Sequence, residues 1–177
     1  MNDYDDLEKN RANFVPLSPL SLISRTAALY PDRQAVVHGD RRYTWADVFS
    51  RCRQLSSGLK GLGIGRGDTV AVMAANTPEM IECHYGVAAS GGVLNTINTR
   101  LDPDTIAYIL QHGEARVLIC DTAFSTSVEA ALKSIGDSHG ITVIDIADSE
   151  NASGGTRLGK MDYEALLESG DPEAEWS

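Results

Sequence analysis

The chain has 177 residues, 42% of them hydrophobic and 23% charged, a composition typical of a globular domain and unlike that of a disordered chain. Its formal net charge of −10 disfavours a nucleic-acid partner, because an acidic surface repels phosphate. No apolar run reaches the ~20 residues needed for a membrane span, and the acidic start MNDYDDLEKNRANF lacks the regions of a signal peptide, so we expect a cytoplasmic protein.

The first predicted elements are an arm, a helix and a hairpin. Residues 1–15 are polar and are expected to form a flexible or loosely docked arm. A helix follows from Ser18 or Ser21 to Tyr30. In QAVVHGDRRYTW, two β-rich runs flank Gly39-Asp40, which is typical of an antiparallel hairpin.

The next helix has the most regular pattern in the chain. Thr44 is expected to cap it, with Asp47 in the position that completes a capping box. Apolar side chains then recur at helical spacing, namely Trp45, Val48, Phe49, Cys52, Leu55, Leu59 and Leu62. The following GLGIGRG leaves a helix and enters a strand, and Arg66 stands where a dinucleotide-binding motif has its third glycine. We therefore interpret these glycines as a helix stop and turn.

The stretch from Gly65 to Arg100 predicts a strand–helix–strand unit. Residues 68–73 read as a buried strand, and Thr77 with Pro78 marks the start of a helix that runs to about residue 90. This helix reads as apolar nearly all round and is expected to be covered on both sides. VLNTIN then returns to the sheet, which gives a parallel βαβ unit with a right-handed crossover.

The rest of the chain continues the alternation of strands and helices. Helices are predicted over residues 105–112 and 124–135, and strands over ARVLICD and ITVIDIA. The predicted fold class is therefore α/β, with a largely parallel sheet, helices on both faces and an N-terminal antiparallel hairpin. After the arm, we divide the chain into an α/β subdomain (16–147) and a loop, short helix and truncated linker (148–177).

Few residues are predicted to carry chemistry. The sequence contains neither GxSxG nor GxxxxGK[ST], so neither a hydrolase nucleophile nor a Walker-type phosphate cradle is expected. Three scattered cysteines are expected to be buried, reduced thiols. Among the histidines only His84 is of interest, because it lies in the apolar helix. A hydrogen-bonded core histidine is the favoured interpretation there, and a functional histidine is the alternative.

The polar loop Asn95–Arg100 is the clearest candidate for binding on residue types alone. Its side chains can donate and accept hydrogen bonds, and Arg100 can bind a carboxylate or phosphate through two N–H groups. The plainer interpretation, which we favour, is that the Asn and Thr side chains hold a turn while Arg100 pairs with Asp102 or Asp104.

The order of these motifs resembles the opening of the adenylate-forming acyl-CoA synthetases. In that family a proline-led helix, a hairpin ending in YTW, a long helix, GDTVAVM and an NTPE motif follow one another as they do here. GGVLNTINTRLDPDTIAYILQHGEARVLICD is similar to the family's next block. Its NTINTRLD is similar to the branch that acts on short- and medium-chain or aryl carboxylates. The resemblance covers residues 14–146.

The resemblance implies a ligase that activates a small carboxylic acid with ATP to acyl-AMP and then passes the acyl group to CoA. Mg²⁺ and cationic groups would stabilise the developing charge. The family's phosphate loop, its adenine- and Mg²⁺-binding segments and its C-terminal domain come after the matched region. We therefore assign no catalytic, cofactor-binding or metal residue, and expect an N-terminal fragment that is inactive without the missing C-terminal portion of the same protein. A homodimer stays open.

Three adjacent residues are the candidate site. His84, Tyr85 and Gly86 are proposed to form part of the wall of the carboxylate pocket. The alternative to a ligase fragment is a stand-alone α/β interaction or regulatory module derived from the same family. The length of the encoding reading frame distinguishes these two hypotheses.

Overall fold

The computed structural model describes residues 8–10, 12–15, 17–136, 140–150 and 154–175. Most of the predicted arm therefore lies outside the described residues. The elements in chain order are α1 (Pro19–Leu29), β1 (Gln34–His38), β2 (Arg41–Thr44), α2 (Trp45–Gly61), β3 (Thr69–Met73), α3 (Pro78–Ser90), β4 (Val93–Thr96), α4 (Pro103–His112), β5 (Ala115–Asp121), a short 3₁₀ turn (Thr122–Phe124), α5 (Ser125–Ile135), β6 (Thr142–Ile146), β7 (Met161–Asp162) and α6 (Tyr163–Glu168).

Local signals at the helix and strand ends account for the N-terminal elements. The predicted hairpin is confirmed, because β1 pairs with β2 antiparallel and Gly39 adopts the left-handed φ of +55° in the turn. The predicted capping box of α2 is also confirmed. The Asp47 backbone N–H donates to Thr44 Oγ1 at 3.2 Å, and the Thr44 N–H donates to the Asp47 carboxylate at 2.8 Å. These reciprocal bonds satisfy two donors that a helix start otherwise leaves free.

The main sheet has five parallel strands in the order β4-β3-β5-β6-β7. The predicted βαβ unit is confirmed as β3-α3-β4. The chain then crosses back over β3, so that β5 lies on the other side of β3 from β4. The order of the strands therefore reverses between β3 and β5. In open α/β sheets such a reversal leaves a crevice at the carboxyl ends of the two strands.

Both faces of the sheet are covered, as the α/β prediction requires. One face packs against α2, α3 and α6, through buried side chains that include Leu55, Val87 and Leu166. The opposite face packs against α4 and α5, through Ile106, Val128 and their neighbours. A smaller cluster joins α1 to α2 beside the hairpin. Parallel strands that are buried on both faces have continuous apolar sequences. The strands β3 and β5 can be predicted from the sequence for this reason.

The segment after residue 147 contains a strand, β7, that is absent from the predicted elements. β7 extends the sheet, and the predicted acidic helix is α6, whose apolar face joins the main core. The loop before β7 returns to the sheet because the Asp145 carboxylate accepts hydrogen bonds from the N–H groups of Leu158 and Gly159, at 3.0 and 2.9 Å. A domain boundary at residue 147 stays a prediction. In the part of the chain that the structure describes, none of the helices combines the length and apolar character needed to cross a bilayer.

Candidate functional site

The candidate site is the crevice at the carboxyl ends of β3 and β5. The chain leaves β3 toward α3 on one face of the sheet and leaves β5 toward α5 on the opposite face. Thr77 and Glu79 stand at the start of α3, and Asp121 is the last residue of β5. Divergent loops at a reversal of strand order are where open α/β sheets usually bind ligands.

Three buried oxygens at this crevice lack a hydrogen-bond partner among the described residues: Thr77 Oγ1, Glu79 Oε2 and Asp121 Oδ2. Thr77 is the N-cap of α3, as predicted, but its side chain makes no capping hydrogen bond to the helix. The other Asp121 oxygen accepts a hydrogen bond from the Ala123 N–H at 2.9 Å. Buried polar atoms without partners are rare in proteins, and they mark this crevice as an unusual environment.

Burial raises the pKa of Asp121, and the negative charges of Asp148 and Glu79 raise it further. Asp121 is only 1% exposed and Glu79 only 3% exposed. The raised pKa holds the Asp121 carboxyl group closer to its neutral form, in which it can donate a hydrogen bond. Shifted carboxyl groups of this kind occur at functional sites and in structural networks alike.

A cleft of about 370 Å³ lies beside the crevice, between the hairpin, the end of β6 and the start of α6. Its cations are already bound to carboxylates. Arg41 pairs with Glu79 and lies 3.7 Å from Asp148, while Arg157 pairs with Asp162 at 3.0 Å. Because both arginines have acidic partners, the cleft does not offer a free cationic cradle for phosphate.

A second buried network lies behind this cleft. Arg51 binds the Glu82 carboxylate from Nε at 2.6 Å and from Nη2 at 3.2 Å, and Tyr163 donates its hydroxyl proton to Glu82 at 2.9 Å. Burial raises the pKa of Glu82, while the bonds from Arg51 and Tyr163 act in the opposite direction. The prediction that α3 is apolar nearly all round is therefore wrong, because two of its buried residues are Glu79 and Glu82.

The three predicted pocket residues face three different surroundings. His84 is exposed, and its Nδ1 lies 2.7 Å from the Met80 carbonyl oxygen, so the interpretation as a core histidine is wrong. Tyr85 is half-buried beside the cluster that joins α1 to α2. Gly86 is buried against Leu55 of α2. A role for the three residues as a wall of a substrate pocket stays a prediction.

The polar loop Asn95–Arg100 differs from its predicted arrangement in one respect. The Asn98 side chain does hold the turn, since it accepts a hydrogen bond from the Arg100 N–H at 2.9 Å. The predicted pairing of Arg100 with Asp102 or Asp104 is wrong, because none of the ion pairs among the described residues contains Arg100. Asp102 instead caps α4, accepting from the Thr105 N–H at 3.0 Å and from its hydroxyl at 2.7 Å. Arg100 is therefore left as an exposed cation at the carboxyl edge of the sheet.

The cysteines and acidic residues do not form a metal centre in the part of the chain that is described, where no group of three or more His, Cys, Asp or Glu side chains could hold a metal ion. The cysteines are free and buried, as predicted. Burial raises the pKa of the Cys120 thiol to about 12, which keeps it protonated and unreactive.

Comparisons with known proteins agree on one family. The family model described as AMP-binding enzyme matches residues 23–174. The chain is 40% identical over 183 aligned residues to the acetate–CoA ligase CCL3 of Humulus lupulus, and 39% identical to the peroxisomal acetate/butyrate–CoA ligase AAE7 of Arabidopsis thaliana. Each alignment covers 98% of this chain but only 32% of the plant enzyme, so the chain spans about a third of the length of these relatives.

A solved structure shows the same fold. The anthranilate CoA ligase AuaEII, crystallised with anthranoyl-AMP, superimposes with a TM-score of 0.80 at 22% identity. The match covers 92% of this chain and 30% of that enzyme. Most of that ligase therefore lies outside the matched region.

Proposed function

Because the chain belongs to the AMP-binding enzyme family, we propose that it is the N-terminal third of an AMP-forming acid–thiol ligase. The observation that carries this proposal is the match of the family model to residues 23–174, nearly the whole chain. The high identity to two plant CoA ligases over 98% of this chain supports it. The β3-α3-β4 unit, with its GDTVAVM strand and NTPE helix start, is the part of the sequence that resembles the family most clearly.

The proposed reaction has two steps. A carboxylate oxygen of the acid attacks the α-phosphorus of ATP, which forms acyl-AMP and releases pyrophosphate. The thiol of CoA then attacks the acyl carbonyl carbon, which forms the thioester and releases AMP together with the thiol proton. Both steps develop negative charge on oxygen and need cationic stabilisation. The family resemblance implies that Mg²⁺ provides part of this stabilisation. The acidic residues in the described part of the chain do not fit a Mg²⁺ site, so we assign no step of the reaction to these residues.

The proposed substrate is a short- or medium-chain acid or an aryl carboxylic acid. The two plant relatives are named for acetate and butyrate, and the NTINTRLD block is similar to the branch that acts on such acids. His84, Tyr85 and Gly86 are retained as a proposed wall of the acid pocket. The cytoplasmic location is likewise retained as a proposal, and a fluorescent fusion in living cells would test it.

Within the ligase, we propose that these residues supply scaffold rather than chemistry. The arginines beside the edge cleft are held by carboxylates, and the crevice at β3 and β5 carries acceptors rather than free cations. A site of this charge disfavours the triphosphate of ATP. The 177-residue chain alone should therefore form no acyl-AMP.

Pyrophosphate exchange into ATP tests this proposal. The protein encoded by the whole reading frame should catalyse exchange that depends on acetate, butyrate or benzoate, and it should form the CoA thioester when CoA is added. The 177-residue chain serves as the matched control and should show neither activity. Exchange by the chain alone would contradict the scaffold role. Failure of the whole protein with all three acids would contradict the proposed function itself.

A further inference from the structure

The edge of the sheet at β4 lacks both a neighbouring strand and charged side chains among the described residues. β4 pairs with β3 alone among the described residues, so its outer side is unpaired. From Cys83 to Thr99 the sequence contains no Asp, Glu, Lys or Arg, and this is the longest uncharged stretch in the chain. We define the β4 edge surface as the outer face of α3 and the strand beside it, with the residues Ile81, His84, Ala88, Val93, Leu94 and Thr96.

Apolar side chains are exposed on this surface. Ile81 is 39% exposed and Val93 is 52% exposed, and Ala88 is exposed between them along α3. Ile81, His84 and Ala88 recur at helical spacing, so they lie on one face of α3. This face is continuous with the strand because α3 packs beside β4. Leu94 packs against the core on the same side of the sheet as α3, so the side chain of Val93 points to the opposite side, and exposed apolar groups lie on both faces of this edge.

The backbone of β4 offers hydrogen-bonding groups along this edge. The Val93 N–H donates to the Asp68 carbonyl and the Ile97 N–H donates to the Val72 carbonyl, each at 2.8 Å. Since alternate residues of a strand point their N–H groups to opposite sides, the N–H groups of Leu94 and Thr96 point away from β3. Both are positioned to pair with an additional strand.

The opposite edge of the sheet is protected in the ways that natural edge strands usually are. β7 has only two residues, Met161 and Asp162, and Arg157 pairs with Asp162 at its margin. Short length and charge discourage pairing at an edge. β4 has neither a charge nor a proline in its four residues. β4 therefore lacks the charge that protects the β7 edge.

We propose that the β4 edge surface is covered by a strand from the part of the ligase that lies outside these 177 residues. The proposal rests on the proposed function for its occupant, because the chain spans only 32% of the length of its plant relatives. A second copy of this chain is a poorer occupant. Its own net charge of −10 would repel the first copy, and the uncharged β4 edge surface has no cations to offset that repulsion.

Amide hydrogen exchange, read residue by residue, tests the proposal without any catalytic assay. In the isolated 177-residue chain, the Leu94 and Thr96 amides should exchange about 100-fold faster than those of Val93 and Ile97, whose bonds to β3 protect them. In the protein encoded by the whole reading frame, Leu94 and Thr96 should be protected to a similar degree as their neighbours. Equal, fast exchange of these two amides in both proteins would overturn the proposal.

A pair of matched substitutions provides a second readout. Val93→Lys should leave the Tm of the isolated chain unchanged and lower that of the whole protein, because a lysine would be forced against the added strand. Val37→Lys, at a site on β1 that is 56% exposed, should leave both unchanged. An equal effect of Val93→Lys on both proteins would contradict the docking. The docking would also be contradicted if the isolated chain eluted as a dimer and its Leu94 and Thr96 amides were protected. In that case a second copy of the chain would be the occupant.

These outcomes separate the docking proposal from the proposed function. A whole protein that protects Leu94 and Thr96 but activates no acid would retain the docking and refute the ligase activity. A whole protein that activates an acid while the Leu94 and Thr96 amides stay exposed would support the ligase activity and refute the docking. A reading frame that ends after Ser177 would remove the proposed occupant altogether.

Discussion

Arg51 on α2 and Glu82 on α3 form a two-bond ion pair in the interior of the protein, with N–O distances of 2.6 and 3.2 Å. Glu82 is 1% exposed, and Tyr163 of α6 donates to the same carboxylate. Arg51 also reaches Glu164 at 2.7 Å. One buried carboxylate therefore connects three helices that the sequence places far apart.

Removing the cation of this pair should destabilise the fold strongly. We expect Arg51→Met to lower the free energy of unfolding by about 3 kcal/mol, because it leaves a buried carboxylate without its charged partner. Urea denaturation at pH 7 would measure the change. Lys133→Met is the control, since it breaks the exposed pair with Glu129 and should cost less than about 0.5 kcal/mol. Similar losses for the two variants would show that burial adds nothing to the Arg51 pair.

Neutralising Asp121 should stabilise the protein at neutral pH. Burial raises its pKa in the folded protein above that of the unfolded chain, so the folded state binds the proton more tightly. The resulting stability is present below the unfolded pKa of ~3.9 and is lost as the pH rises through the higher folded pKa. Asp121→Asn should therefore raise the free energy of unfolding by about 1 kcal/mol at pH 7.

The pH dependence identifies the origin of that gain. The difference in Tm between Asp121→Asn and the parent protein should be largest at pH 7 and should shrink as the pH falls toward ~4. Asp40→Asn, in the exposed hairpin turn, is the control and should show a small difference at every pH. A gain that is constant with pH would mean that the substitution acts through packing and not through charge.

The parts of this fold that could be predicted from the sequence are those with local causes. The capping box of Thr44 and Asp47 involves residues three positions apart, and Pro78 marks a helix start by its own geometry. The buried parallel strands are apolar runs of the expected length. Each of these signals is complete within a few residues, so no knowledge of the tertiary structure was needed.

The misplaced residues depend on partners that are distant in the sequence. The apolar pattern of α3 does not indicate the buried ion pairs of Glu79 and Glu82, because only the folded chain brings Arg41 and Arg51 to them from the hairpin and α2. The exposed position of His84 does not follow from the sequence, because a helix that is apolar on most sides does not indicate which face is outward. β7 has two residues and is too short to show a period. The crevice at β3 and β5 likewise follows from strand order, which local patterns do not contain.

Two threonines that begin helices should respond in opposite ways to the same substitution. Thr77 Oγ1 is buried without a partner, so Thr77→Val should raise the free energy of unfolding by about 1 kcal/mol by removing an unsatisfied hydroxyl. Thr44 Oγ1 accepts the capping bond from Asp47, so Thr44→Val should lower it by about 1 kcal/mol. Thermal unfolding of the two variants would compare them directly. A loss for Thr77→Val would mean that its hydroxyl has a partner in solution, such as an ordered water.

Gly86 provides a test of whether the predicted pocket wall is instead a packing contact. A Cβ atom at Gly86 would lie 2.7 Å from Leu55 Cδ2 and 2.9 Å from Leu55 Cβ, closer than such atoms can approach. Gly86→Ala should therefore lower the free energy of unfolding by about 1–3 kcal/mol through overpacking of α2 against α3. Gly61→Ala at the end of α2 is the control, because a Cβ atom there would meet nothing within 4 Å.

A double-mutant cycle separates this contact from a role in substrate choice. Leu55→Ala makes room for the new methyl group, so the Gly86→Ala loss should be smaller in the Leu55→Ala background than in the parent. In the whole ligase, a residue that lines the acid pocket should also shift the preference from butyrate toward acetate when Gly86 is enlarged. If Gly86→Ala costs stability, is rescued by Leu55→Ala and leaves the acid preference unchanged, Gly86 is a helix-packing residue and the pocket wall must be built elsewhere.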